Sequence, residues 1–127
     1  MLLDTNILVR HLTGEPAEQA GRATTFLRNA DSLELPALIV AELVYVLESV
    51  YELTRSQVAA LVRSVLAHPP VHAPEETVLL RAVELYETAR VHFAEAYLAA
   101  MAERSDGLVA SFDRDLDRID GVTRVEP

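Results

Sequence analysis

The sequence predicts an α/β fold in which helices cover both faces of a central parallel sheet. Short apolar segments alternate with longer segments of helical spacing over all 127 residues, an order that is typical of parallel sheets. The short segments are continuously apolar, as in strands that are buried on both faces. Half of the residues are hydrophobic and 24% are charged, which is the composition of a globular chain. We expect residues 1–127 to form one domain.

Six helices are predicted from apolar residues spaced three and four apart and from the signals that begin and end helices. Pro16 begins the second helix, and Thr54 with Gln57 forms a capping box before the fourth. Pro69 and Pro70 end that fourth helix. The predicted helices are Ile7–Leu12, Pro16–Ala30, Ile39–Tyr51, Arg55–Ala67, Glu75–Ala89 and Phe93–Arg104.

Five short strands are predicted between these helices. They are Met1–Asp4, Leu33–Leu35, Val71–Ala73, Leu108–Ser111 and Val122–Val125, and an acidic segment, Asp113–Asp120, separates the last two. In open parallel sheets, binding sites form beyond the carboxyl ends of the strands. Functional side chains are therefore expected where the strands end.

The charge balance limits the ways in which the chain can bind nucleic acid. Eleven basic residues, all Arg, stand against twenty acidic residues, which gives a net charge of −9. Phosphate affinity comes mostly from Lys and Arg, so a nucleic-acid function requires a local Arg patch or bound cations. The acidic surface also suits a basic protein partner. The absence of Cys excludes disulfides, thiolate metal sites and a Cys nucleophile.

Neither apolar segment of the chain predicts a leader or a membrane span. Met1–Val9 contains Asp4 and Asn6 and has no basic residues before its apolar part, unlike a signal peptide. Leu38–Leu47 contains Glu42 and is too short to cross a bilayer. We expect a soluble, cytoplasmic protein without a membrane partner.

Four carboxylates occupy positions that indicate a shared site. Asp4 and Asp113 follow predicted strands. Glu42 and Glu95 lie near the starts of helices, on apolar faces that we expect to be buried, where a carboxylate is costly. Each has a structural alternative when taken alone: an N-cap for Asp4, an N-cap or a buried ion pair for Glu42, and a solvated turn for Asp113. Together they are expected to converge at one edge of the sheet.

Four converging carboxylates without a nearby Lys repel one another unless a hard cation neutralises them. Oxygen-only ligands select Mg²⁺ or Mn²⁺. Such ions polarise a phosphate and activate a water, which is the chemistry of phosphodiester hydrolysis. Other enzyme classes lack their signals here: the chain has no Gly-rich phosphate loop, no Gly-x-Ser-x-Gly elbow and no zinc spacing among its four His residues.

The segments around these acids resemble the motifs of the PIN-domain family, and within it those of the VapC-type toxins. The resemblance covers essentially the whole chain, with the four motifs in order. The motifs are Leu3–Leu8, Val40–Leu43, Phe93–Ala100 and Ser111–Leu116.

This resemblance implies a three-layer α/β/α domain with about five parallel strands and a dimeric, Mg²⁺- or Mn²⁺-dependent endoribonuclease. It implies that RNA is the substrate and that a cognate VapB-like antitoxin inhibits the enzyme. Asp4, Glu42, Glu95 and Asp113 carry over as the catalytic metal ligands. Three polar residues carry over as supporting groups: Asn6 and Ser111, which orient ligands or a water, and Asp115 as an extra acid.

Two departures from the family pattern favour a rival interpretation. Glu95 stands where the family usually has Asp, and His92 stands where many relatives have another acid. A PIN-like interaction module with weak or no activity is therefore the alternative. A phosphatase is a more distant one, because it usually pairs an Asp nucleophile with a Lys that this chain lacks.

Two further features bear on partners. The helix Ile39–Tyr51 is apolar on nearly every side, which indicates an interface and hence a homodimer or an antitoxin complex. Arg10, Arg90 and Arg114 are candidates for local phosphate contacts.

Overall fold

The computed structural model describes all 127 residues, Met1–Pro127. The chain divides into two compact units, Met1–Glu76 and Thr77–Pro127. The helices are α1 Thr5–Thr13, α2 Ala17–Asn29, α3 Ala37–Ser49, α4 Arg55–Ala67, α5 Glu76–Thr88 and α6 Phe93–Glu103. The strands are β1 Leu33–Glu34, β2 Val71–His72, β3 Leu108–Ala110 and β4 Thr123–Val125, and a 3₁₀ helix covers Arg114–Arg118. The prediction that residues 1–127 form one domain stays a prediction.

In the first unit, β1 pairs in parallel with β2. The predicted strand Met1–Asp4 is reduced to a parallel bridge between Leu2 and Glu34. The Leu3 amide donates to the Glu34 carbonyl at 3.0 Å, and the Glu34 amide donates to the Met1 carbonyl at 2.8 Å. Pairing ends there because Asp4 is already the N-cap of α1.

The helix signals of the first unit are confirmed. Helix α4 begins with the predicted capping box, in which Thr54 and Gln57 exchange two hydrogen bonds. Helix α1 runs one residue beyond its prediction at the carboxyl end and stops at Gly14, whose φ of 76° is the left-handed conformation that glycine adopts without strain.

Helix α3 is apolar on two sides, and only one of them is buried. The buried side consists of Val40, Leu43, Val44 and Leu47. On the other side Leu38 is 78% exposed and Tyr45 is 67% exposed. The predicted surplus of apolar surface on this helix is therefore confirmed.

In the second unit, β3 pairs in parallel with β4 over three residues. The rings of Tyr86 and Phe93 meet edge to face, with centroids 6.2 Å apart, and join α5 to α6. The 3₁₀ helix occupies most of the predicted acidic segment. Arg124 of β4 holds it in place, since its Nε donates to Asp117 at 3.0 Å and its Nη1 donates to the Ser111 carbonyl at 3.0 Å.

All strand pairing in the structure is parallel, as predicted. Two short two-stranded sheets and the Leu2 bridge account for the five predicted extended segments, each trimmed by a residue or more. No helix is both long enough and apolar enough to cross a bilayer.

Candidate metal centre

Asp4 occupies the N-cap position of α1, but its carboxylate does not act as a cap. Its backbone is extended, and its side chain makes no hydrogen bond to the amides of the first turn. The side chain is exposed. Asp4 is therefore the N-cap residue by position only. Its carboxylate is not used for capping and is available to a ligand.

Glu42 is exposed, and the expectation that it lies on a buried apolar face is wrong. It shares a stripe of α3 with Leu38 and Tyr45, which are themselves exposed, so its apolar neighbours are surface residues rather than core residues. It is neither the N-cap of α3, which is Pro36, nor part of an ion pair. Both structural alternatives for Glu42 are thereby removed.

The partner of Glu42 is Thr5. Thr5 is 5% exposed, and its hydroxyl donates to Glu42 Oε2 at 2.8 Å. The bond places the second acidic motif next to the residue that follows Asp4. Thr5 was not among the predicted site residues, although a hydroxyl directly after Asp4 at the start of a helix was a signal for it.

In the second unit the structure brings three carboxylates together. Glu95 lies in the first turn of α6, while Asp113 and Asp115 lie at the start of the 3₁₀ helix. Ligand oxygens of the three residues all lie within 4.8 Å of one another. Asp115 also pairs with Arg118 at 3.3 Å. Of the four acids expected to converge, Glu95 and Asp113 are thus close together, and the extra acid Asp115 lies beside them.

Backbone amides and a hydroxyl fix the orientation of Asp113. Its Oδ1 accepts from the Asp115 amide at 2.9 Å, and its own amide donates to Ser111 Oγ at 2.9 Å. These bonds form because short polar side chains readily accept from amides two residues along the chain. Ser111 therefore supports the acid cluster.

The pKa values of Glu95 and Asp113 are shifted in opposite directions within the cluster. Burial raises the pKa of Glu95, and the neighbouring Asp113 raises it further through a hydrogen bond and its charge. The pKa of Asp113 is lowered, first by the amide of Asp115 and then by the hydrogen bond with Glu95. In the absence of a cation, Glu95 is therefore the carboxyl that holds a proton more readily.

The donor set fits a hard divalent cation. Glu95 Oε2 is a buried oxygen with no hydrogen-bond partner, and buried polar atoms are rarely left unpaired. It stands among oxygen ligands alone, the set that suits Mg²⁺ and Mn²⁺. A cation at this position would satisfy the oxygen and cancel the repulsion between the carboxylates.

The remaining predicted residues have clear positions. His92 is the exposed N-cap residue of α6. Asn6 is exposed in the first turn of α1 and lines a groove beside α2. That Asp4 and Glu42 converge with Glu95 and Asp113 stays a prediction.

The PIN domain family model matches residues 1–122. Since this match covers nearly the whole chain and reaches into both compact units, the chain belongs to the PIN domain family. PIN domains have a three-layer α/β/α fold and are generally Mg²⁺- or Mn²⁺-dependent nucleases. The predicted fold class is therefore confirmed. No curated protein shows significant similarity to the chain.

Proposed function

We propose that the chain is a Mg²⁺- or Mn²⁺-dependent endoribonuclease that acts as the toxin of a toxin–antitoxin pair. A cognate VapB-like antitoxin would inhibit it, and its site of action would be the cytoplasm, where its RNA substrate is found. The observation that carries the proposal is the buried, unpartnered Glu95 Oε2 beside Asp113 and Asp115. A buried oxygen left unpaired in a carboxylate cluster is a position that a divalent cation would satisfy.

In this proposal Asp4, Glu42, Glu95 and Asp113 hold the cation, with Asp115 as an additional acid. When bound there, the cation would supply charge neutralisation at the scissile phosphate and activation of a water. The protein supplies orientation. Thr5 fixes the carboxylate of Glu42, and the Asp115 amide fixes that of Asp113, so little rearrangement of these two side chains is needed when substrate binds.

A PIN-like interaction module without activity is the second candidate, and a specific contact favours it. Asp115 is already engaged by Arg118 at 3.3 Å, and Glu95 is one of the two residues that depart from the pattern of the family that the sequence resembles. The two candidates differ in metal binding. A module that has lost the site binds neither Mn²⁺ nor Mg²⁺ in a calorimetric titration, whereas the nuclease binds at least one.

The exposed apolar side of α3 supports assembly. Leu38 and Tyr45 flank Glu42 on this side, and exposed apolar surface of this kind usually marks an interface. We therefore include a homodimer, or a complex with the antitoxin, in the proposal. Light scattering of the purified chain at micromolar concentration tests the dimer, and a monomer there would count against it.

Cleavage of total cellular RNA by the purified chain tests the proposed activity. Discrete products are expected with Mn²⁺ or Mg²⁺ and none with chelator. Asp4→Asn should abolish cleavage without unfolding the chain, while Asp31→Asn, at an exposed Asp outside the acidic motifs, should leave it intact. Cleavage that survives in chelator, or in Asp4→Asn, contradicts the proposal.

A further inference from the structure

A groove of about 490 Å³ lies between α1 and α2 in the first unit. Polar and cationic side chains form much of its lining: Asn6 and Arg10 from α1, and Gln19 and Arg22 from α2. Phe26 of α2 completes it. Two of the eleven Arg residues of an acidic protein thus face the same groove.

Arg10 is a cation without an anionic partner. Its side chain is half-buried, and its Nε donates to Gln19 Oε1 at 3.0 Å. Gln19 is neutral, and no carboxylate lies within ion-pair distance of Arg10. The bond to Gln19 holds the guanidinium along the groove while its charge stays uncompensated. A fixed, uncompensated guanidinium is a ready contact for a phosphate.

Arg22 adds a second, more exposed cation. It pairs with Glu18 across one helical turn at 3.5 Å, and both side chains are largely exposed. Ion pairs of this type contribute little to stability, so an anionic ligand competes for Arg22 at small cost.

Phe26 gives the groove an aromatic surface. Its side chain is 38% exposed at the groove, and an exposed aromatic ring is a surface on which a nucleobase stacks. Asn6 and Gln19 place amide groups nearby, and amides hydrogen-bond to base edges. Cation, amide and aromatic groups together are the combination that binds single-stranded nucleic acid.

The groove adjoins one of the predicted metal ligands. Asn6 lies in the first turn of α1, and Asp4 is the N-cap of that helix. A nucleic-acid strand that contacts Asn6 in the groove would therefore lie near the amino-terminal end of α1, where Asp4 is located.

We propose that the groove between α1 and α2 binds a phosphate and the adjacent base of the single-stranded RNA that the chain cleaves. This inference rests on the proposed function and adds the surface that holds the substrate. A peptide fits less well. The two Arg residues repel the basic partner that the net charge of −9 favours, and an acidic peptide offers no planar base to Phe26.

The test is the binding of a fluorescent single-stranded RNA oligonucleotide in chelator, which prevents cleavage, at salt concentrations of roughly 50 to 200 mM. Each phosphate contact contributes about 0.7 to the slope of log affinity against log salt for single strands. Arg10→Ala should lower the magnitude of the slope by about that amount. Arg28→Ala is the matched control, because Arg28 is an exposed residue of α2 outside the groove.

Substitution of Phe26 tests base stacking independently of the phosphate contact. Loss of base stacking is expected to weaken binding about 5- to 150-fold in Phe26→Ala, and Phe26→Tyr should restore it because the ring is kept. Thermal unfolding of each variant shows whether it is folded. If Phe26→Ala does not fold, the comparison of Arg10→Ala with Arg28→Ala still decides the matter.

The inference is overturned if Arg10→Ala and Arg28→Ala match in both affinity and slope, or if the wild type binds no RNA. It is also overturned if Arg10→Ala weakens binding of polyglutamate but not of RNA, since the groove would then bind an acidic peptide. RNA binding that depends on Arg10 in a chain that never cleaves contradicts the nuclease alone. Cleavage by a chain in which Arg10 makes no difference contradicts the groove alone.

Discussion

The Thr5 hydroxyl donates a hydrogen bond of 2.8 Å to Glu42 Oε2, and this bond links the first turn of α1 to α3. Thr5 is buried whereas Glu42 is exposed. The donor is thus held by the core, and the carboxylate that it orients points to the surface. An exposed carboxylate normally samples several rotamers, so a fixed one is already oriented for a ligand.

Thr5→Val removes the donor and keeps the shape of the side chain, so we expect metal binding to suffer more than folding. Loss of a residue that orients a ligand typically weakens metal affinity by about 10- to 100-fold. The measurement is calorimetric titration with Mn²⁺. Thr5→Ser retains the hydroxyl and should bind Mn²⁺ as the wild type does. Equal affinities in Thr5→Val and wild type would show that the bond does not serve the site.

The sequence predicts most elements of this chain because their signals are local. Helix α4 begins and ends at the predicted residues, since the Thr54 capping box and Pro69 act within a few residues. The predicted strand Met1–Asp4 is reduced to a bridge because Asp4 already begins α1 and because its pairing depends on a distant partner, Glu34.

The sequence singled out candidate acids from their positions in the chain, and the structure brings Glu95 and Asp113 together with Asp115. The side chains that surround these acids could not all be predicted in the same way. An apolar neighbourhood along α3 does not distinguish core from exposed surface, so Glu42 was expected to be buried. The bond between Thr5 and Glu42 joins residues 37 positions apart. No local pattern contains that information.

Glu95→Gln should distinguish the effect of the acid cluster on the stability of the metal-free chain from its effect on metal binding. The substitution removes an acid whose pKa is raised, mainly by burial and also by Asp113, while the shape of the side chain stays nearly the same. In chelator the variant is expected to unfold at the same temperature as the wild type or higher, because repulsion with Asp113 is relieved. Added Mn²⁺ should stabilise the wild type more than the variant, since at a given concentration a ligand stabilises more the more tightly it binds the folded chain. Equal stabilisation of both proteins by Mn²⁺ would exclude Glu95 as a ligand.

The ion pair between Arg81 and Glu103 predicts how stability changes with pH. Arg81 Nε and Nη2 each donate to a Glu103 oxygen at 2.9 Å, and these bonds lower the pKa of Glu103. A carboxyl whose pKa is lower in the folded chain stabilises the fold at pH values above its unfolded pKa, about 4.3. This contribution is lost as the pH falls through the pKa of the folded chain.

Glu103→Gln should therefore be less stable than the wild type at neutral pH, by about 1 to 2 kcal/mol after allowance for partial exposure of the pair. The difference should shrink as the pH falls below about 4. Urea denaturation at several pH values measures it. A difference that is independent of pH would mean that packing, rather than charge, is what the substitution removes.

The Glu103 carboxylate of this ion pair lies against Gly121, where there is room for it because glycine has no side chain. A Cβ at position 121 would lie 2.9 Å from Glu103 Oε1, which is too close for an unstrained contact. The carboxylate cannot move away freely because Arg81 holds both of its oxygens. Gly121→Ala is therefore expected to lower the free energy of unfolding by about 1 kcal/mol, through weakening of that pair.

Gly21 provides the matched control for Gly121→Ala. It lies within α2, and a Cβ there meets nothing within 4 Å. Gly21→Ala should stabilise the chain by roughly 0.5 to 1 kcal/mol, because alanine loses less backbone entropy in a helix. Urea denaturation of both variants should give opposite signs, and the effect of Gly121→Ala should be smaller when Glu103→Gln is also present. Additive effects of the two substitutions would show that Gly121 matters for a reason other than the Glu103 carboxylate.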